Sequence, residues 1–277
     1  MLIIMSNEIK NVSVIGVGYL GKQIAEQTAS KDYSVRLYDV NKEDLEKFSR
    51  KLERRKNIYK IPGEISYHDK IEDAVKDADL IIEAVPEQLE LKKEIFKVID
   101  KVAPSHAIIA TNSSSIPVSK LEDSVERKDK VLNIHFYNVT TMPMADIMRG
   151  TKTSDDTFER GKKWVESIDI TPLIVKKECY GFVFNRVWRA IKKDCLKIWA
   201  GGYADLEDVD KAWRIVTGMS LGPFQLMDSV GLDVVYDIEM SYYKNSGNPD
   251  DMPPQELKDL IEKGDLGRKA GKGFYKY

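Results

Sequence analysis

The first half of the chain alternates short apolar runs with helical patterns of apolar residues. Residues 9–15 read as a strand that ends in glycines, and a helical periodicity extends from residue 19 to about 30. Residues 34–38 read as a second strand, and the charged segment 42–60 predicts a helix. Further buried strands are predicted at residues 80–82, 107–110 and 131–135. Strands that alternate with helices are typical of a parallel sheet covered on both faces.

The second half of the chain has a helical pattern throughout. Apolar residues recur every four positions at Val183, Val187, Ile191, Cys195 and Trp199. This spacing predicts a helix over residues 182–199 whose apolar face belongs to the core. Further helices are predicted to start near Asp205 and Pro223. We therefore expect a smaller, all-helical second domain that begins near residues 178–181.

The composition narrows the classes of function. With 277 residues, 42% of them hydrophobic, the chain can bury the cores of one or two domains. A net charge of −2 predicts no nucleic-acid partner and no membrane surface. The apolar run at residues 1–5 is too short for a signal peptide, and no apolar stretch approaches the length of a membrane span.

The cysteines and histidines predict neither disulfides nor metal. Cys179 and Cys195 are too few for a disulfide scaffold, and we interpret both as small buried hydrophobic residues of a cytoplasmic protein. The three histidines form no cluster with cysteine at ligand spacing, so no metal site is predicted.

A glycine-rich loop, residues 16–21 (Gly-Val-Gly-Tyr-Leu-Gly), joins the first strand to the first helix. Its first glycine permits the tight turn, its second lets the backbone approach a pyrophosphate, and its third lets helix and strand pack closely. The helix N-terminus then offers free N–H groups to the phosphates. The candidate cofactor-binding residues of the loop are Gly16, Gly18, Tyr19, Leu20 and Gly21.

An acid follows the second strand at the position where a dinucleotide-binding unit needs one. Asp39 can accept hydrogen bonds from the adenosine ribose hydroxyls and would repel the extra phosphate of NADP, so NAD is the predicted cofactor. The alternative is an ordinary turn in which Asp39 caps the next helix. The predicted fold is α/β: a Rossmann-type doubly wound parallel sheet (1–180), followed by a smaller all-helical C-terminal domain (181–277).

Five ordered segments resemble the motifs of one family. They are residues 110–115 (Ala-Thr-Asn-Ser-Ser-Ser), 135–138 (His-Phe-Tyr-Asn), 181–186 (Gly-Phe-Val-Phe-Asn-Arg), 221–228 (Leu-Gly-Pro-Phe-Gln-Leu-Met-Asp) and 267–275 (Gly-Arg-Lys-Ala-Gly-Lys-Gly-Phe-Tyr). The chain is identified by them as a member of the L-3-hydroxyacyl-CoA dehydrogenase family. The resemblance implies NAD-dependent oxidation of a 3-hydroxyacyl-CoA to the 3-ketoacyl-CoA, a place in fatty acid metabolism, and a homodimer formed by the helical domain.

By the resemblance, His135 is the catalytic base. Independently of it, His135 ends a predicted buried strand at the edge where open α/β sheets bind ligands, and imidazole titrates near neutrality. The alternative is a hydrogen-bonded core histidine. The family pairs this histidine with a glutamate, for which the chain offers Asp146 if one residue is missing from the preceding turn. Asp146 would then fix the imidazole tautomer, unless it is a solvated acid before a strand.

Other site residues are also implied by the resemblance. Ser114 and Asn185 would hold the substrate oxygen, although Asn185 could be a helix cap. Four further residues match family positions that contact the dinucleotide: Glu87, Lys92, Asn138 and Lys269. Taken alone, each of these four would be interpreted as a surface residue, as are His68 and His106.

The chain departs from the family pattern at several places. Residues 139–141 (Val-Thr-Thr) replace a proline-rich turn, Tyr180 stands where proline is usual, and Asp146 replaces glutamate. The stretch from Asp39 to Asp79 is about twenty residues too short for the helix-turn-helix with which the family grips CoA. The helix that remains carries cations that could meet CoA phosphates: Arg50, Lys51, Arg54, Arg55, Lys56 and Lys60.

Acidic residues on the same helix favour a solvated face instead: Glu43, Asp44, Glu46 and Glu53. Three functions therefore stay open. The first is a 3-hydroxyacyl-CoA dehydrogenase for short chains, the second is a dehydrogenase of a free 3-hydroxy acid or sugar acid, and the third is a non-catalytic NAD-binding protein.

Overall fold

The computed structural model describes residues 8–59 and 61–277. The apolar run at residues 1–5 and Lys60 lie outside this part of the chain. The chain divides into two compact units, of which the first ends at Val183 and the second covers Phe184–Tyr277. This division falls close to the predicted domain boundary at residues 180 and 181.

The first unit is built on one sheet. In the described residues its strands are β1 (Asn11–Ile15), β2 (Ser34–Tyr38), β3 (Ile65–Tyr67), β4 (Leu80–Glu83), β5 (Ile108–Thr111), β6 (Val131–Phe136), β7 (Met144–Arg149) and β8 (Thr171–Val175). Their order across the sheet is β3-β2-β1-β4-β5-β6-β7-β8. Each neighbouring pair is parallel except β6 and β7, which are antiparallel. The predicted Rossmann-type fold is confirmed.

Helices cover both faces of this sheet. They are α1 (Tyr19–Ala29), α2 (Lys42–Tyr59), α3 (Ile71–Val75), α4 (Leu89–Val102) and α5 (Asp155–Ser167). Along β4, Leu80 and Ile82 belong to the core cluster under α1, α2 and α5, whereas Ile81 belongs to the cluster under α3 and α4. Because successive strand residues point to opposite faces, a strand buried on both sides becomes a continuous apolar run. This is why the central strands could be predicted from the sequence.

Three strands were not predicted, because none of them has the continuous apolar run of a strand that is buried on both faces. β3 has three residues and lies at one sheet edge, and β8 lies at the other edge and contains Pro172, which an edge strand tolerates. β7 contains the acid Asp146 in its centre. β7 is antiparallel to β6 because only seven residues (137–143) join the two strands, which is too short for a parallel crossover.

The second unit is helical, as predicted. In the described residues its α-helices are α6 (Phe184–Ala200), α7 (Leu206–Thr217), α8 (Pro223–Val230), α9 (Leu232–Ser246) and α10 (Gln255–Glu262). The predicted starts are confirmed, because Asp205 is the N-cap of α7 and Pro223 is the first residue of α8. Proline is suited to that position, since its missing N–H would have no helical partner there.

The apolar stripe of α6 is only partly core. Cys195 is buried, and Ile191 and Trp199 pack against the buried cluster of the unit. Val183 and Val187 are 41% and 58% exposed, so the prediction that the whole stripe is core is wrong at its start. Val183 precedes the helix, whose first residue is Phe184, and therefore does not follow the helical repeat.

Within the described ranges, no helix is both long enough and apolar enough to cross a membrane. The same ranges contain no group of three or more histidine, cysteine, aspartate or glutamate side chains that could hold a metal ion. Both cysteines are free thiols, with Cys179 half-buried and Cys195 buried. Burial raises the pKa of Cys195 to about 11, so this thiol stays protonated and unreactive at neutral pH.

Candidate active site at the carboxyl edge of the sheet

The predicted site residues of the first unit gather at one edge of the sheet. β1, β2, β4, β5 and β6 run in the same direction, so their carboxyl ends lie along that edge. The glycine loop follows β1, Asp39 follows β2, Ser114 follows β5, and His135 is the penultimate residue of β6. Open α/β sheets bind their ligands in the crevice outside these ends.

The glycine loop has the shape that a dinucleotide needs. Gly16 has a φ of +97°, and a Cβ there would lie 2.6 Å from the Ala84 carbonyl carbon, which no other residue type allows. At Gly21, a Cβ would collide with the carbonyl oxygen of Gly16. A Cβ on Gly18, by contrast, would meet nothing within 4 Å. The backbone at Gly18 therefore faces open space, where a phosphate group could approach it.

The start of α1 offers unsatisfied donors at the same place. Gly18 is the N-cap of α1 and has no side chain with which to cap it, so the first N–H groups of the helix are available to an anion. Leu20 packs partly against the core, and Tyr19 is 71% exposed. The Tyr19 hydroxyl accepts a hydrogen bond from Asn138 Nδ2 at 2.7 Å.

Asp39 organises the loop and keeps capacity for a ligand. Its Oδ2 accepts the Val17 N–H at 2.6 Å, and its Oδ1 accepts the Asn41 N–H at 2.7 Å. A carboxylate has about four acceptor positions, so two remain for ribose hydroxyls. The residues present therefore fit NAD.

A group of charged residues lies beside this edge, which we call the Lys92 group: Lys92 and Glu83, which are buried, and Glu87, which is exposed. Lys92 is 1% exposed, so its interpretation as a surface residue is wrong. Its ammonium donates to Glu83 Oε1 at 2.7 Å and to the Val85 carbonyl at 3.1 Å, and lies 3.3 Å from Glu87 Oε2. The sequence did not identify Glu83, although an acid that ends an apolar strand is an available signal.

The two acids of the Lys92 group respond differently to burial. Burial raises the pKa of Glu83 above its ordinary value, and the neighbouring Lys92 offsets only part of that rise. Burial also raises the pKa of Glu87, but hydrogen bonds from Ser113 and Ser115 and the charge of Lys92 outweigh it. The pKa of Glu87 therefore lies below its ordinary value.

Glu87 fixes the loop that carries Ser114. Its Oε1 accepts hydrogen bonds from the hydroxyl groups of Ser113 and Ser115 and from the Ser115 N–H. The Ser113 hydroxyl also accepts the Ile116 N–H at 2.7 Å. Ser114 is exposed, and its hydroxyl has no hydrogen-bond partner among the described residues. The loop thus uses its two outer serines for structure and presents the middle one.

The structure brings His135 and Asp146 together. They are directly opposite each other in the antiparallel pairing of β6 with β7, and His135 Nδ1 lies 3.2 Å from Asp146 Oδ2. His135 is 5% exposed and Asp146 is fully buried, so Asp146 is no solvated acid. No hydrogen bond of His135 Nε2 is found within the described part of the chain.

Two aromatic residues that the sequence analysis missed complete the surroundings of His135. The Tyr137 hydroxyl donates to Asp146 Oδ2 at 2.6 Å, and its ring meets the imidazole edge-on, with centroids 4.7 Å apart. The Phe182 ring stacks on the imidazole at 5.1 Å. Strand alternation could have revealed Tyr137, because residues two apart share a face. His135, Asp146 and Tyr137 are called the His135 group below.

The altered turn after β6 is held by side chains. Asn138 Oδ1 accepts the N–H groups of Thr140 and Thr141, and the Val139 N–H donates to Gln23 Oε1 at 2.9 Å. An asparagine that accepts from backbone two and three residues ahead closes a turn without proline. The turn is therefore ordered and adjoins α1.

The remaining predicted residues lie elsewhere. Asn185 is in the first turn of α6 and Lys269 follows Gly267, both in the second unit, so their contacts with substrate and cofactor stay predictions. The Lys269 ammonium binds both carboxylate oxygens of Asp233 at 2.6 Å. His106 is half-buried and its Nε2 lies 2.9 Å from Asp79 Oδ1, outside the site.

A dinucleotide loop and a histidine–carboxylate pair on one sheet edge define the class of pyridine-nucleotide-dependent enzymes. The family model for the NAD binding domain of 3-hydroxyacyl-CoA dehydrogenase matches residues 11–179, and the model for its C-terminal domain matches residues 181–277. The chain belongs to the 3-hydroxyacyl-CoA dehydrogenase family. It is an NAD-dependent dehydrogenase acting on a CH–OH group.

Relatives cover nearly the whole chain. The mitochondrial hydroxyacyl-coenzyme A dehydrogenase of Homo sapiens is 31% identical over 97% of this chain and 91% of its own. A 5-formyl-3-hydroxy-2-methylpyridine 4-carboxylate 5-dehydrogenase of Mesorhizobium japonicum is 30% identical over 97% of this chain and 91% of its own. Among solved structures, a diketoreductase described as acting on dicarbonyl compounds is 36% identical, with a TM-score of 0.87 over 98% of this chain and 100% of its own.

Proposed function

We propose that His135 is the general base that removes the proton from the 3-hydroxyl group of an acyl substrate. The observation that carries the proposal is the pairing of His135 Nδ1 with the buried carboxylate of Asp146, at the carboxyl edge that carries the glycine loop. A carboxylate acceptor favours the tautomer with its proton on Nδ1, which leaves a lone pair on Nε2. Nε2 is then the atom that takes the substrate proton.

The other residues would hold the reacting groups in place. Ser114 presents an exposed hydroxyl that can donate to the substrate oxygen, and Asn185 of the second unit would donate to the same oxygen. When bound, NAD supplies the hydride acceptor. Asp146 stabilises the imidazolium that forms when His135 takes the proton.

The cofactor would be bound by the edge already described. Its pyrophosphate would meet the backbone at Gly18 and the first N–H groups of α1, and its adenosine ribose would bind Asp39. Glu87 and Asn138 lie in the segments that follow β4 and β6, where they can contact the nicotinamide half. Lys92 would act through Glu87, because its own donors are directed at protein acceptors.

A 3-hydroxyacyl-CoA is the first candidate substrate. Both family models are those of 3-hydroxyacyl-CoA dehydrogenase, and relatives with this activity in their names match along nearly the whole chain. Oxidation of a short-chain 3-hydroxyacyl-CoA to the 3-ketoacyl-CoA would place the enzyme in fatty acid metabolism.

A free 3-hydroxy acid or the matching dicarbonyl compound is the second candidate, and the region between β2 and β3 favours it. In the described residues this region holds the single helix α2. Two of its six candidate CoA-binding cations are paired within the protein, Arg50 with Glu46 and Arg55 with Glu26. Lys51, Arg54 and Lys56 are exposed and form no ion pair with a described residue, so a weak CoA contact is still available.

A substrate panel tests the proposal. The protein is incubated with NAD and 3-hydroxyacyl-CoAs of increasing chain length, or with free 3-hydroxy acids and sugar acids, and NADH is followed by absorbance. Acetoacetyl-CoA and free 3-keto acids with NADH test the reverse direction. Turnover of CoA thioesters alone supports the first candidate, and turnover of free acids alone supports the second. NADH binding without turnover of any compound would contradict the proposed base.

The second unit supports a homodimer. Large apolar side chains are exposed on its helices: Val187, Ile215, Val216, Val234 and Ile238. Exposed apolar surface of this kind is typical of protein interfaces, and a second copy of the chain is the proposed occupant. Light scattering of the purified protein, before and after Val216→Lys, tests this assembly. Expression with compartment markers tests the predicted cytoplasmic location.

A further inference from the structure

The carboxylate of Asp146 receives two hydrogen bonds on one oxygen. Oδ2 accepts the Tyr137 O–H at 2.6 Å and lies 3.2 Å from His135 Nδ1, while Oδ1 has no partner within the described residues. Asp146 is fully buried, so its carboxylate is shielded from bulk water. The position of this carboxylate is therefore set by the protein groups that bind Oδ2.

The strand register brings the three side chains together. Asp146 is opposite His135 in the β6–β7 pairing, and Tyr137 lies two positions beyond His135 on the same face. The Tyr137 N–H continues the hairpin by donating to the Met144 carbonyl at 3.3 Å. The backbone thus holds the two donors on either side of the acceptor.

The two contacts differ in strength. An O–H donor to a carboxylate has its strongest bond at about 2.5–2.7 Å, and the Tyr137 contact lies in that range. The His135 contact is longer than the usual N–H···O distance of about 2.9–3.0 Å. The Tyr137 hydroxyl is therefore the closer of the two donors to the Asp146 carboxylate.

The acid opposite His135 is shorter than the glutamate that the family resemblance implies at this place. Asp146 has one methylene fewer and reaches less far toward the imidazole. The Tyr137 hydroxyl contacts this shorter acid directly.

We infer that Tyr137 is a positioning residue for catalysis: its hydroxyl holds the Asp146 carboxylate where that carboxylate can orient His135. This role rests on the proposed function of His135 as the base. Phe182 restricts the orientation of the imidazole from another side, because the Phe182 ring stacks on the imidazole ring with an interplanar angle of 23°. The imidazole is then held at its ring face and at Nδ1, and Nε2 is directed to the substrate.

Tyr137→Phe removes the hydroxyl and keeps the ring, so it is the informative variant. We expect kcat to fall about tenfold, because an unfixed acid lets the base leave its reactive orientation. The KM for NAD should stay within about twofold, because the hydroxyl that is removed donates to Asp146. Tyr33→Phe is the matched control: it removes a tyrosine hydroxyl bonded to Ser167 at 2.6 Å in the same unit. That control should retain the wild-type kcat.

A double-variant cycle separates positioning from general damage. Asp146→Glu alone should lower kcat about tenfold, because the longer acid collides with the hydroxyl that fixes it. In Tyr137→Phe/Asp146→Glu the longer acid can reach Nδ1 without that hydroxyl, and kcat should return to within about threefold of wild type. Losses that multiply in the double variant would overturn the inference, as would an unchanged kcat in Tyr137→Phe.

The resting protein gives a second measurement that needs no turnover. The proton shared by His135 Nδ1 and Asp146 should give a downfield imidazole N–H resonance that His135→Gln removes. In Tyr137→Phe this resonance should move or broaden, and in Tyr33→Phe it should not. A wild-type protein that turns over no substrate would remove the proposed function and this role with it. Wild-type turnover with an unchanged resonance in Tyr137→Phe would remove the role of Tyr137 alone.

Discussion

Two groups of polar residues lie at the same sheet edge and differ in how completely their buried atoms are paired. In the Lys92 group, the buried ammonium donates to Glu83 and to the Val85 carbonyl and lies 3.3 Å from the carboxylate of the exposed Glu87. In the His135 group, Asp146 Oδ1 and His135 Nε2 have no partner among the described residues. Both groups contain charge in a protein interior, where an unpaired polar atom is costly.

The difference in pairing distinguishes a group with a structural role from a group with a catalytic role. The ammonium of Lys92 is directed at protein acceptors and holds its neighbours, and the group holds the serine loop through Glu87. The His135 group keeps the Nε2 atom of its imidazole unpaired, and an unpaired imidazole nitrogen can exchange a proton with a ligand. Four predictions test this contrast, from the largest expected effect to the smallest.

His135→Ala should lower kcat about a thousandfold, because a positioned general base contributes about 10²–10⁴-fold. NADH binding, measured by fluorescence titration, should be retained, and so should the thermal unfolding midpoint within a few degrees. His68→Ala is the control, since His68 lies outside the site and contacts Ser66. Activity that survives in His135→Ala would remove the distinction between the two groups.

Lys92→Met should destabilise the first unit by about 3 kcal/mol, because it leaves the buried Glu83 without its cation. Denaturant unfolding measures this change. Lys93→Met should cost less than about 1 kcal/mol, since Lys93 pairs with the exposed Glu90 at the surface. If Lys92→Met were as stable as Lys93→Met, the Lys92 group would not be the structural support inferred here.

The serine loop offers a matched pair of variants. Ser114→Ala should lower kcat about thirtyfold, as the loss of one donor to a reacting oxygen does, without changing stability. Ser113→Ala should cost about 1 kcal/mol of stability, because its hydroxyl bonds Glu87 and the Ile116 N–H. Measuring kcat and the free energy of unfolding for both variants tests these roles. Equal effects of the two variants on stability would contradict a catalytic role for Ser114 and a structural role for Ser113.

The acid dependence of stability should be carried partly by Glu87. Its folded-state pKa is lowered, so its contribution to stability is present above the unfolded value of about 4.3 and is lost as pH falls through the lower folded-state pKa. Glu87→Gln should therefore lose less stability than wild type between about pH 5 and pH 3. Unfolding midpoints at pH 3, 5 and 7 test the sign, and an equal acid loss in both proteins would exclude Glu87 as its source.

Local features of the sequence predicted a large part of the site. The glycine loop and Asp39 could be recognised because each directly follows a strand, and the motif that they form lies within one short segment of the chain. The central strands are recognisable as apolar runs because both of their faces are buried. Ser114 and Asp146 were identified through the resemblance to a family, and His135 was identified both through it and through its place at the end of a buried strand. Glu83, Tyr137 and Phe182 were assigned a role by neither route.

What the amino-acid sequence determined by itself is the alternation of the central strands with helices, the dinucleotide loop with Asp39, and a histidine at the end of a buried strand as candidate base. Only the tertiary structure decided which of these side chains share one environment. His135 and Asp146 are eleven positions apart and meet because a tight hairpin reverses the chain between β6 and β7. In the sequence, nothing distinguishes Lys92 from the exposed lysines of a charged helix. It is buried because α4 packs against the strand end that carries Glu83. A periodic pattern along the chain indicates which face of a helix or strand is buried, but it does not show which side chains of distant segments will contact that face.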